Sequence, residues 1–111
     1  MNFGGNLPAV EAAAVPEDGF LLDVREPDEW DAGHAPGAVH IPLGSLAERA
    51  QEIPADQDVY VVCRSGGRSA RATQALNQAG WRAQNVSGGM QAWEAAARPV
   101  VSESGGPGIV A

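Results

Sequence analysis

The chain of 111 residues contains a single cysteine, Cys63, set in the segment Val59-Tyr-Val-Val-Cys-Arg-Ser-Gly-Gly-Arg-Ser69. A thiol attacks as its thiolate, and the residues around this one favour the charged form. Gly66 and Gly67 permit backbone angles closed to other residues, and a helix is expected from about Ser69. Loop amides and the first helical turn then point at a common centre, an anion cradle. The helix dipole adds partial positive charge there, and Arg64 and Arg68 add two guanidiniums. A free cysteine ionises near pH ~8.5, leaving roughly 3% thiolate at neutrality, whereas helix N-termini and neighbouring cations lower the value to roughly 3.5 to 7.5. Cys63 is therefore expected to be largely ionised near neutral pH. A lone cysteine is more often an inert small hydrophobe. Two glycines and two arginines packed directly after the thiol have no evident core role, however, and this favours a reactive group.

The elements that hold this loop follow from the pattern on either side of it. Val59, Tyr60, Val61 and Val62 form an unbroken β-branched and aromatic run, the mark of a strand buried on both faces, as in parallel sheets. Beyond the loop, Ala72, Ala75, Leu76 and Ala79 recur on one face at helical spacing, with Gly80 as the stop. Upstream, residues 9–15 fit a short strand or a helical turn, 16–19 a turn and 20–24 a strand. Pro27 suits the first position of a short helix that Gly33 ends. Residues 38–41 read as another short strand, closed by Pro42. Ser45 and Glu48 have the spacing of a capping box, ahead of a helix that turns Leu46, Ala50 and Ile53 to one face. A strand at about 83–86 and a helix at about 90–97, with Met90, Trp93 and Ala97 as its buried stripe, complete the series. Strands alternating with helices predict an α/β fold with a mostly parallel central sheet covered by helices on both faces. Ligands in such folds bind at the carboxyl ends of the strands, where Cys63 falls. Residues 1–98 are assigned to a single domain, within which 1–6 are expected to be loose, and 99–111, rich in Gly, Ser and Pro, to a flexible tail in which Ile109 and Val110 are the candidates to dock.

Four segments in order carry a family resemblance: Asp23-Val-Arg-Glu26, then Glu29-Trp-Asp-Ala-Gly-His-Ala-Pro-Gly-Ala38, then Cys63 to Ser69, and finally Gly88-Gly-Met-Gln-Ala-Trp93. Spanning about residues 21–93, they resemble the successive signatures of a rhodanese domain. The resemblance implies a rhodanese-like fold and a sulfurtransferase in which Cys63 accepts a sulfur atom as a persulfide and hands it to a thiophilic acceptor. In that chemistry the thiolate attacks the outer sulfur of a donor such as thiosulfate. The amides of Arg64, Ser65, Gly66, Gly67, Arg68 and Ser69 hold the charge on the terminal sulfur, and the guanidiniums of Arg64 and Arg68 meet the donor's anionic group. Asp23 and Arg25 match the family's Asp-x-Arg and are expected to pair beneath the loop as scaffolding. Glu29 is as well explained by an ion pair with a loop arginine as by an exposed helical carboxylate. His34 is assigned a structural hydrogen bond, because a preformed thiolate needs no general base. His40, Trp30, Trp81 and Trp93 are assigned to packing.

Composition removes several function classes. A hydrophobic content of 44% over this length supports one core. No apolar run approaches the roughly 20 residues of a membrane span, and the N-terminus lacks a basic segment leading into an apolar one, so a soluble cytoplasmic protein is expected. Asn85-Val86-Ser87 is then a chance sequon. One cysteine forms no disulfide within the chain, and with two histidines it makes a poor zinc set. The absence of lysine excludes a Walker-type phosphate loop and a lysine Schiff base. The net charge of −7 is uneven: residues 1–58 carry −10 and residues 59–111 carry +3. Nucleic acid is thus an improbable partner, while a small anion at the cysteine fits. No cofactor or metal is expected. The expected partners are a small anionic sulfur donor and a thioredoxin-like or sulfur-carrier protein acceptor.

Three other functions compete. Cysteine phosphatases also attack from a cradled thiolate, but their arginine stands six residues past the cysteine. Here that position is Ser69 and the arginine comes one residue earlier, so the shorter loop fits a sulfur atom better than a tetrahedral phosphate. A sulfur carrier or interaction module with the same fold would share the persulfide and differ in turnover. A redox sensor would oxidise the same thiolate.

Overall fold

The computed structural model describes residues 7–111, so the expectation for residues 1–6 lies outside it. The five strands are β1 (Ala9–Glu11), β2 (Phe20–Asp23), β3 (Val39–His40), β4 (Asp58–Val62) and β5 (Arg82–Ser87). They form one sheet in the order β1-β5-β4-β2-β3, and every pairing is parallel. Four helices accompany them: α1 (Pro27–Ala32), α2 (Leu46–Arg49), α3 (Gly67–Gln78) and α4 (Gly89–Ala95).

The apolar run 59–62 lies in the central strand β4, and its side chains alternate between two cores, as the period of a strand requires. Val59 and Val61 pack with Leu22, Leu46, Ile53, Ala72 and Leu76 under α2 and α3. Tyr60 and Val62 pack with Leu21, Val86, Met90 and Trp93 under α4. Burial on both faces explains why this strand shows no polar alternation. The expected α/β architecture, a parallel sheet with helices on both faces, is the one observed.

Three local expectations need correction. The buried residues of α3 are Ser69, Ala72, Thr73 and Leu76, whereas Ala75 and Ala79 are exposed. Two small hydroxyl residues complete the inward face, so an apolar count rotates the stripe away from its true position. Ser45 makes no capping hydrogen bond, and the helix behind it has only four residues, flanked by 3-10 turns. The capping box forms instead at α1, where Glu26 and Glu29 exchange side-chain and backbone hydrogen bonds across the first turn. Finally, α4 ends at Ala95, and Ala97 is exposed with a left-handed φ of 59°, so only Met90 and Trp93 of the predicted stripe are buried.

The segment after α4 runs back over the molecule. Arg98 Nη1 donates to the carbonyls of Ala12 and Val15 at 2.8 and 2.7 Å. His34 and Val101 exchange backbone hydrogen bonds of 2.9 Å, and the Ile109 amide donates to the Ala32 carbonyl at 3.0 Å. Gly33 permits this approach, because a Cβ there would collide with the backbone of Ile109. The contacts of Val101 and Ile109 are between main chains, so the Gly, Ser and Pro composition behind the expected flexible tail does not report them.

Candidate active site

Cys63 is the first residue beyond β4. Gly66, at φ 113°, takes the left-handed turn that starts α3 and brings its own amide to 3.1 Å from Cys63 Sγ. Ser69, in the first turn of α3, places its hydroxyl 3.3 Å from the same sulfur. The thiol is buried, at 1% exposure, and burial alone pushes its pKa up. Hydrogen bonds from the Ser69 hydroxyl and from the amides of Ser69, Gly66 and Ser65 together outweigh that effect, leaving Cys63 below the ordinary thiol range. A sulfur atom is thus ringed by donors at the carboxyl edge of a parallel sheet.

The two loop arginines are already engaged. Arg68 makes a two-pronged pair with Glu29 of α1, Nη1 to Oε1 at 2.7 Å and Nη2 to Oε2 at 2.9 Å. The Arg68 hydrogen bonds are the largest influence on Glu29 and, against the opposing effect of burial, hold its carboxyl down at about 2. The same pair raises Arg68 above its usual value. Arg64 Nε donates to the carbonyl of Ala111 at 2.9 Å. Glu29 therefore belongs to an ion pair, and the Arg68 fork carries an internal carboxylate.

Asp23 and Arg25 pair as expected, fully buried at the end of β2, with Arg25 Nε to Asp23 Oδ1 at 2.9 Å and Nη2 to Oδ2 at 2.7 Å. Arg25 Nη2 also donates to the Gly33 carbonyl at 2.8 Å, so the described hydrogen bonds tie β2 to the end of α1. His34 stacks on Trp30 with ring centres 3.6 Å apart, and His40 stacks on the same indole at 4.8 Å. His34 Nδ1 lies 2.8 Å from the Trp30 carbonyl and His40 Nε2 lies 2.8 Å from the Arg25 carbonyl, which gives both imidazoles structural partners.

The Gly88-Gly89 pair has a defined task. The amides of Met90 and Gln91 in the first turn of α4 donate to the carbonyls of Cys63 and Arg64 at 2.7 and 3.0 Å. A Cβ on Gly89, which also sits at φ 59°, would strike those same carbonyls. The start of α4 thus holds the loop from behind.

Sequence reasoning missed Asn85. It lies on β5 opposite Val61 and is 8% exposed. Its Oδ1 accepts from the Ser69 hydroxyl at 2.6 Å and its Nδ2 donates to the Gly66 carbonyl at 3.2 Å. The available signal was a polar residue in phase with the inward Ala83 of the same strand. Among the described residues no cluster of His, Cys, Asp and Glu has metal-binding geometry, and no helix is long and apolar enough to cross a membrane.

A parallel α/β domain whose central strand delivers a hydrogen-bonded cysteine sulfur to the sheet's carboxyl edge defines a class of cysteine-centred sites. Within that class the chain belongs to the family of the rhodanese-like domain, whose profile matches residues 9–96. It is 41% identical over 90 residues to a sulfurtransferase of Allochromatium vinosum, covering 80% of this chain and 84% of that protein. It is 42% identical over 74 residues to a Bacillus subtilis protein named "Putative sulfur carrier protein YrkF", a match covering 66% of this chain but only 40% of the relative. Among solved structures, a rhodanese-related protein of Thermoplasma volcanium aligns with a TM-score of 0.81 at 35% identity, covering 86% of this chain and 99% of that one. Of these, the first two carry names that refer to sulfur transfer or sulfur carriage.

Proposed function

We propose that the protein is a sulfurtransferase that takes a sulfane sulfur from a small anionic donor such as thiosulfate onto Cys63 and passes it to a thiophilic acceptor. The observation that carries this reading is a thiol held below its ordinary pKa by donors of the 63–69 loop and the first turn of α3. The Cys63 thiolate attacks the outer sulfur of thiosulfate, the S–S bond of the donor breaks, and sulfite leaves with the bonding electron pair. The product is a Cys63 persulfide anion, whose terminal charge the amides of residues 64–69 receive. Attack by cyanide in an assay, or by a thiol or protein in the cell, on that terminal sulfur returns the thiolate.

Arg64, which is exposed, and Arg68, whose side chain is 34% exposed, are the groups assigned to the donor's anionic end, with Glu29 offsetting part of their charge. Asp23 and Arg25 act as scaffold. A free thiol suits a reducing cytoplasm, and the acceptor class that fits is a thioredoxin-like thiol or a sulfur-carrier protein. The likeness to the relative named as a sulfur carrier favours a second reading, in which Cys63 is charged by a protein and hands on sulfur without multiple turnover of small molecules. The test is intact mass after incubation with thiosulfate and again after cyanide, with Cys63→Ser in parallel. A gain of one sulfur that cyanide removes, absent in the variant, supports the enzyme. No gain with thiosulfate but loading from a protein persulfide moves the chain to the carrier reading.

A further inference from the structure

We infer that Asn85 is a positioning residue that competes with Cys63 for the single proton of the Ser69 hydroxyl, and so keeps the thiolate basic and nucleophilic. The Ser69 oxygen has three acceptors within reach: Asn85 Oδ1 at 2.6 Å, the Gly66 carbonyl at 3.2 Å and Cys63 Sγ at 3.3 Å. A hydroxyl has one proton to give. The shortest of these contacts is the one to Asn85, and the amide cannot turn away. Its other end donates to the Gly66 carbonyl, and a flipped amide would set two carbonyl oxygens against each other.

With its proton drawn toward Asn85 at 2.6 Å, Ser69 gives the sulfur only a long, weakened hydrogen bond of 3.3 Å. The thiolate is then held by the backbone amides, by positive charge and by a Ser69 hydroxyl that donates less than it would without Asn85. Once the sulfur atom has been taken up, the charge moves to the terminal sulfur, away from Ser69, so Asn85 disfavours the resting thiolate relative to the loaded state. The charged groups around Cys63 are Arg68 on α3, offset by Glu29 on α1, and Arg64 in the loop. Glu29 lies at about 2 and Arg68 above its usual value, so neither changes protonation where the thiol titrates.

The experiment is titration of the Cys63 thiol, followed by thiolate absorbance and by the pH dependence of alkylation, in the wild type, Asn85→Leu, Ser69→Ala and the double variant. Freeing the Ser69 proton in Asn85→Leu is expected to lower the thiol pKa by about one unit. Ser69→Ala alone, which removes only the weakened bond, is expected to raise it by no more than about 0.3 units, and Asn85→Leu is expected to have no further effect on the Ser69→Ala background. A purely structural role for Asn85 has the opposite signature: loosening the Gly66 amide raises the pKa, with or without Ser69. Either that rise, or a rise of about one unit in Ser69→Ala alone, overturns the inference. Should Asn85→Leu not fold, the Ser69→Ala result still decides.

The kinetic half rests on the proposed sulfur transfer. Above both pKa values, uptake from thiosulfate by Asn85→Leu is expected to be slower by a factor of about three, because nucleophilicity falls with pKa. If the wild type takes up no sulfur, the functional reading fails while the titration still stands.

Discussion

The turns that follow β4 and β5 are built alike and do opposite work. Each ends a buried parallel strand, passes through a left-handed glycine, Gly66 or Gly88, and starts a helix whose first amides are free. After β4 those donors surround Cys63 Sγ. After β5 the amides of Met90 and Gln91 are consumed by the carbonyls of Cys63 and Arg64. What separates a site from its support is therefore what lies in front of the amides. One turn faces a sulfur, and the other faces the first turn's back.

The sharpest way to break this comparison is to remove the sulfur. Cys63→Ser is expected to abolish sulfur loading by intact mass while leaving the melting temperature nearly unchanged, since the hydroxyl retains the amide donors. The two turns then part company under glycine substitution. Gly89→Ala combines a positive φ with a collision against the Cys63 and Arg64 carbonyls, and is expected to cost about 3 kcal/mol in denaturant unfolding. Gly66→Ala meets nothing closer than 3.4 Å and carries only the backbone penalty, about 1 kcal/mol, but it displaces the amide on Sγ. Its alkylation profile is expected to shift to higher pH more than its stability falls. Equal stability losses would dissolve the distinction.

Two pH measurements give smaller effects. Because Cys63 lies below the ordinary thiol value, alkylation by iodoacetamide is expected to reach half its plateau at a pH below that of a free cysteine. Glu29 is lowered in the folded state to about 2, so its pair with Arg68 is fully stabilising above the ordinary carboxyl range and is lost as pH falls toward that value. Discounted for the exposure of Arg68, this amounts to about 1 to 2 kcal/mol. Unfolding curves between neutral and acid pH are expected to flatten by that amount in Glu29→Gln.

The residues that were legible in the sequence are those whose chemistry is local. The 59–62 run, the glycines after Cys63 and the alternation of elements follow from neighbours a few positions apart, and each led to the right strand, turn or architecture. What escaped depended on distant partners. Asn85 is one polar residue in a strand until β5 is placed beside β4, and for Glu29 the pair with a loop arginine, one of two readings open in the sequence, is decided only when α1 faces α3. The Ser45 and Glu48 spacing satisfied a local rule that the chain did not use, because the helix behind it was too short. The similarly spaced Glu26 and Glu29 used it with a carboxylate as the cap.

One consequence of the strand order concerns the sequence of events in folding. Among the described residues β1 has a single neighbour in the sheet, β5, and Asn85 stands in register with Ala9 and donates its backbone N–H to the Pro8 carbonyl at 2.9 Å. On a ribosome, the earliest strand of the sheet must wait, unpaired, until nearly the whole domain has emerged. Closing so long a loop is entropically costly and slow. The contacts of Asn85 with Ser69 and Gly66 therefore wait on β5, long after the 63–69 loop itself has been made.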